Sequence, residues 1–163
     1  MPLVGRSVNI FAGRVLHHWE MPATADQVWH ALTESAPLSG WLGTLVSGTF
    51  RSGEVVTVEH APNYPCTSQV RGIDPLKLLA MSWKFPDEEP SELRIELTGR
   101  ESSTGLHLEH RGLADKAADY LIGWHTHLRY LEDLLAGKPR AMVDFWTLYE
   151  ELARSTDPKR NES

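Results

Sequence analysis

The feature that most constrains this chain is its one long amphipathic segment, opened by Asp115 and closed by Gly137 and Pro139. Its apolar positions, Ala117, Leu121, Trp124, Leu128, Leu131 and Leu135, are spaced alternately by four and three residues. That spacing draws a stripe about five turns long down one face of a helix over about 115–136. Asp115 is the expected cap, and the glycine and proline supply the usual stop. Ahead of the helix, from Thr44 to Gly112, short runs alternate with turn residues, the pattern of consecutive antiparallel strands. Six read as strands: about 44–51, 54–60, 66–73, 76–85, 91–100 and 105–111, with turns at Ser52-Gly53, Asp74-Pro75, the PDEEP loop and ESSTG. Leu93, Ile95 and Leu97 oppose Arg94, Glu96 and Thr98, and Leu106 and Leu108 oppose His107 and Glu109, so each strand has one wet and one buried face. A sheet with one apolar face must bury it, and no other helix here is long enough to cover it.

Upstream, Arg14 to Met21 reads as another strand, after a weakly patterned start. Thr24 and Gln27 have capping-box spacing at the head of a short helix with Val28, Trp29 and Leu32 on its apolar face. Pro37 and the Gly40 to Gly43 region leave room only for a very short second helix around Leu38 to Leu42. Downstream, an added amphipathic helix over about 141–154 carries Met142, Phe145, Trp146, Tyr149 and Leu152, and residues 155–163 read as a disordered polar tail. The expectation is one α+β domain over 1–163 with its core at about 14–137. A curved antiparallel sheet of about seven strands wraps a long C-terminal helix, with one extra helix behind it. A bent sheet and a single helix cannot touch everywhere, and the gap between them is the expected place for a ligand.

A length of 163 residues suits one domain, and 41% hydrophobic with 23% charged residues is an ordinary globular balance. The net charge of -6 and the lack of a basic cluster argue against a nucleic-acid surface. The one cysteine, Cys66, cannot form an internal disulfide. With no signal-peptide pattern in MPLVGRSVNIFAGR and no apolar run of about 18 residues, the expectation is a cytoplasmic chain without a membrane span.

Five stretches in order, PATADQVWHALTES, SGWLG, VRGIDPLKLLAMSW, TGLHLEHRGL and the GW of LIGWHTHLRYLEDLLAG, carry a family resemblance over about 14–137. The chain resembles the START-like (SRPBCC) superfamily, and within it the bacterial proteins similar to the activator homologue of the heat-shock-protein ATPase. The resemblance implies a helix-grip fold, and it carries over Val28, Trp29, Trp41, Trp83 and Gly123-Trp124 as structural positions. It implies no single function, since the superfamily spans lipid carriers, hormone receptors, polyketide cyclases and co-chaperone domains. The helix containing DFWTLYEEL is an addition that the resemblance does not explain.

Eight histidines invite a metal or acid-base reading, so their directions matter. His60 continues the inward set of Val56 and Val58, His110 continues Leu106 and Leu108, and His125 sits four residues after Leu121 on or beside the helix stripe. These three could ring a cavity, or each could be a hydrogen-bonded histidine at the edge of the core. His107 and His110 point to opposite faces of a strand, and His125 and His127 lie about 200° apart on a helix. No familiar spacing supplies the three or four ligands of a zinc site, so neither metal nor cofactor is expected. Walker, dinucleotide, GxSxG and HExxH motifs are absent from the sequence, and Cys66 reads as a plain half-buried thiol.

The sequence therefore favours a binding protein over an enzyme. Its cavity between sheet and long helix would hold a small apolar molecule or lipid-like metabolite, walled by Val58, Met81, Trp83, Leu108 and Leu121 and oriented by His60, His110 or His125. The alternative is a protein-interaction module of the co-chaperone kind, dimerising or meeting a partner through Phe145, Trp146 and Tyr149. A cavity-type cyclase or hydrolase comes third.

Overall fold

The computed structural model describes residues 13–155 in full and residues 3–9 by their backbone. The seven expected strands form, as β2 (Arg14–Met21), β3 (Thr44–Ser47), β4 (Val55–Ala61), β5 (Tyr64–Asp74), β6 (Leu78–Trp83), β7 (Ser91–Gly99) and β8 (Thr104–Arg111). An eighth, β1 (Leu3–Asn9), adds to them, and the antiparallel sheet runs in the order β1-β2-β8-β7-β6-β5-β4-β3. The weakly patterned start thus hides an edge strand. LVGRSVN has no clean alternation, and backbone pairing to β2, with a register shift at Gly5, defines it.

Alternation sets the buried face. Val15, His17, Trp19 and Met21 of β2 point inward, as do Leu93, Ile95 and Leu97 of β7 and Leu106, Leu108 and His110 of β8. Helix α3 (Ala117–Leu135) closes over this face, with Trp124, Leu128 and Leu131 buried in the same core. This is the helix-grip arrangement that the resemblance implies. Asp115 does not cap α3: Ala114 has a positive φ of 51° and starts a 3-10 turn (Ala114–Lys116), so the chain enters the helix through Lys116 without a side-chain cap. The far end is as expected. Gly137 takes φ +79°, and Lys138 N–H to Asp133 C=O with Gly137 N–H to Leu134 C=O forms a Schellman closure.

Helix α1 (Ala25–Thr33) begins with the expected capping box between Thr24 and Gln27. Helix α2 spans Ser35–Leu38 rather than starting at Leu38, because Pro37 lies within its first turn, where a missing N–H costs nothing. Next comes SGWLG. Gly43 passes so close to β4 that a Cβ there would lie 2.7 Å from the Glu59 carbonyl oxygen, and Trp41 is buried with its indole N–H donating to Ala31 C=O at 2.8 Å.

After Gly137 the chain is tied down by an ion pair between Arg140 and Asp133 and by Tyr130 Oη donating to Ala141 C=O at 2.8 Å. A 3-10 turn (Met142–Asp144) leads into α4 (Phe145–Ser155). Ser155 ends this helix rather than starting a tail; the rest of the expected disordered tail, 156–163, lies outside the described residues. Phe145 and Leu148 are buried, so α4 packs on its own chain.

Candidate functional site

A cavity of about 270 Å³ opens where the tip of the β4–β5 hairpin and the end of β6 meet the middle of α3 and the start of α4. Its walls are mostly aromatic: Tyr64, Trp83 and Phe85 from the sheet side, Tyr120 and Trp124 from α3, and Phe145, Trp146 and Tyr149 from α4, with Met142 before it. A roomier hollow of about 530 Å³ around Leu78, Arg94 and Glu96 has no aromatic wall. The α3 contribution follows from helical spacing, because Tyr120, Gly123, Trp124 and His127 fall at i, i+3, i+4 and i+7 on one face. Gly123 keeps that face open: a Cβ there would sit 4.0 Å from the Tyr149 ring.

Two histidines stand in the wall. His60 sits where a register shift between Glu59 and Ala61 re-aims β4, and its ring meets Trp83, Phe85 and His127 edge-on. Its Nε2 is shut off from solvent and has no hydrogen-bond partner among the described residues. Burial, then the neighbouring His127, push its pKa down to about 3. His127 donates from Nδ1 to the Trp41 carbonyl at 2.8 Å, which leaves Nε2 as the acceptor of the neutral ring. Burial lowers its pKa to about 4, against the pull of that hydrogen bond. The SGWLG turn thus orients a cavity imidazole.

Tyr120 joins the two walls. Its hydroxyl accepts from Trp83 Nε1 at 3.0 Å and donates to Glu88 Oε1 at 2.6 Å, and its pKa is raised chiefly by burial and then by Glu88. Tyr64 donates to Asp87 at 2.8 Å. The Cys66 thiol stands outside these walls, pushed up to about 12 by burial, so it is no thiolate at neutral pH. No group of three or more His, Cys, Asp or Glu side chains is placed to hold a metal ion among the described residues.

Of the eight residues that the sequence suggested for a cavity, the structure brings His60 and Trp83 together in this wall. Val58, Met81 and Leu108 lie in the packed core instead. His110 is behind the wall with both ring nitrogens occupied: Nδ1 accepts from Trp124 Nε1 at 2.9 Å, so the proton is on Nε2, facing Ser91 Oγ at 2.7 Å. Leu121 packs in a separate cluster with Val15, Leu113 and Ala117, and His125 lies against the rings of His17 and Trp19. Phe145 and Tyr149, suggested as partner contacts, face the cavity, and only Trp146 of the three is exposed. Among the residues that sequence reasoning missed as lining are His127, Tyr64, Phe85, Tyr120, Gly123, Trp124 and Met142, and the carboxylates Glu88 and Asp119. The 120/123/124/127 spacing was the available signal for the α3 members.

The profile of a family described as Activator of Hsp90 ATPase homolog 1-like protein matches residues 22–136. No match emerges among curated proteins. Among solved structures, the crystal structure of CalU16 from Micromonospora echinospora is similar with a TM-score of 0.76 at 18% identity, covering 95% of this chain and 96% of that one. The solution structure of the protein encoded by gene BPP1335 from Bordetella parapertussis has a TM-score of 0.70 at 24% identity, with 96% and 91% covered. The solution structure of the Aha1 dimer from Colwellia psychrerythraea has a TM-score of 0.63 at 21% identity, with 75% and 95% covered. At these identities the likeness speaks for the fold.

Proposed function

We propose that this chain, which belongs to the Activator of Hsp90 ATPase homolog 1-like family, is a binding protein that holds a small apolar molecule between sheet, α3 and α4. The observation that carries this reading is the cavity itself, walled by aromatic rings with the imidazoles of His60 and His127 among them. Aromatic rings around a concavity with a few polar groups are the usual make-up of a small-molecule site. In this reading Trp83 and His60 contact the ligand, while His110 only holds Trp124 in place.

Titration with a panel of alkylbenzenes and medium-chain alcohols tests the proposal, because Trp83, Trp124 and Trp146 all line the space and report occupancy by their emission. The expected result is saturable quenching or a spectral shift, abolished by Gly123→Leu, which would push a side chain into the space below Tyr149. That substitution is expected to change stability by no more than about 1–3 kcal/mol, the usual cost of overpacking, partly offset by replacing a helical glycine. Unchanged emission with every probe in the wild type would sink the reading.

A second reading, a protein-contact module, rests on the 3-10 turn and the start of α4 behind it, where Val143 is 87% and Trp146 63% exposed. Such apolar exposure marks contact surfaces. Sedimentation of the wild type beside Trp146→Ser checks it. Self-association in the first and its loss in the second is the expected outcome of that reading, and a monomer at all concentrations removes the homodimer form of it.

A further inference from the structure

The charges at the cavity are all of one sign. Glu88 and Asp119 line it, and no lysine or arginine does. Glu88 is engaged, accepting from Tyr120 and lying 3.8 Å from Lys116, whose ammonium stays outside the walls. Asp119 is different: it is exposed at the mouth, and no side-chain hydrogen bond or ion pair holds its carboxylate among the described residues. Tyr149 lies beside it, its hydroxyl donating to the Asp119 carbonyl at 3.4 Å, and packs against Trp146 at a ring distance of 5.1 Å. The mouth thus pairs a carboxylate with two aromatic rings.

Further in, His60 Nε2 is packed away from solvent without a hydrogen-bond partner among the described residues. The two imidazoles of the wall stay neutral when buried, so they add no positive charge. The same carboxylates act on the tyrosines: Tyr64, Tyr120 and Tyr149 have their pKa values raised first by burial and then by Asp87 and Glu88, by Glu88 and by Asp119 respectively.

We infer that the cavity selects an amine: a molecule with an apolar body, seated among the inner rings and Met142, and one protonated nitrogen held at the mouth by Asp119 and the faces of Tyr149 and Trp146. This rests on the binding reading above and names its ligand class. A cation over an aromatic face gains from the ring quadrupole, most of all where water is partly excluded. A carboxylic acid of the same shape would meet Glu88 and Asp119 with no counter-charge in the walls.

Three probes of one shape separate the possibilities: 2-(2-naphthyl)ethylamine, 2-(2-naphthyl)ethanol and 2-naphthylacetate, titrated by calorimetry at pH 7 and low salt. The amine is expected to bind roughly ten-fold tighter than the alcohol, with the acid weakest. Asp119→Asn, an exposed change whose folding is checked by its melting curve, is expected to narrow the amine-to-alcohol ratio to about three-fold or less, with the amine losing far more affinity than the alcohol. Added salt should act in the same direction. If the alcohol or the acid binds as well as the amine, or if Asp119→Asn leaves the ratio intact, amine selectivity is wrong and the apolar-binding reading stands. If none of the three binds, amine selectivity falls, and the apolar-binding reading falls with it only where the alkylbenzenes and medium-chain alcohols also leave the emission unchanged.

Discussion

Trp124→Ala is expected to destabilise the fold by about 3–5 kcal/mol, the usual cost of truncating a buried indole. Trp124 is only 2% exposed and sits between Trp83, His127 and His110, with ring distances of 5.1, 5.5 and 6.0 Å. Two losses combine in the variant. The void left by the indole opens onto a space that is already there, so neighbouring side chains have little to collapse onto. His110 Nδ1 also loses its donor, Trp124 Nε1, which breaks a chain that continues through His110 Nε2 and Ser91 Oγ to the Trp83 carbonyl. The unsatisfied buried acceptor accounts for about 1–3 kcal/mol of the expected loss. Trp124→Phe separates the two terms, since it keeps a ring but removes the donor. Urea denaturation measures both variants. A loss under about 1 kcal/mol for Trp124→Ala would mean that α3 does not grip the sheet through this residue.

Much of this architecture is legible in the sequence because burial on a strand or helix is periodic. Leu93, Ile95 and Leu97 on β7, and Trp124, Leu128 and Leu131 on α3, face inward as their spacing requires. Local chemistry was equally readable at Thr24 and Gln27 and at Gly137. Where the reading failed, backbone pairing or a local strain decided the outcome. β1 is held by hydrogen bonds that any sequence can make, and the positive φ of Ala114 removed Asp115 from its capping position. The cavity was less legible still. Three of its rings come from α4, whose return onto α3 depends on Arg140, Asp133 and Tyr130, residues with no mark in a hydrophobic pattern. The placement of His125 and His127 shows the same limit. Their 200° separation is a property of the helix, but which of the two meets β2 and which meets the cavity depends on how the helix is rolled onto the sheet.

Acidification from pH 7 to pH 5 is expected to cost this protein more than any single surface substitution. His60, His110 and His127 all have folded pKa values depressed by burial, to about 3, 3 and 4. In the unfolded chain each returns to about 6.5. Between these limits the unfolded state binds more protons than the folded one, so stability is fully present above about pH 6.5 and is lost as pH falls toward the folded values. At pH 5 each histidine stands about 1.5 units below its unfolded pKa, which corresponds to roughly 2 kcal/mol apiece and roughly 6 kcal/mol for three independent groups. A total stability of about 5–15 kcal/mol makes that a large fraction. Glu20, whose pKa Ser103 and Arg100 lower, acts in the same sense further down, while Glu132, raised by burial and Asp133, opposes it. Urea midpoints at pH 7, 6 and 5 should therefore fall steeply and together by fluorescence and circular dichroism. His60→Phe is the decisive companion. Its ring surroundings are already aromatic and its Nε2 has no partner to lose, so the variant should fold and flatten the pH dependence by about a third. A midpoint constant from pH 7 to pH 5, or a dependence as steep in His60→Phe as in the wild type, would show that these imidazoles are not the neutral, buried groups that the cavity requires.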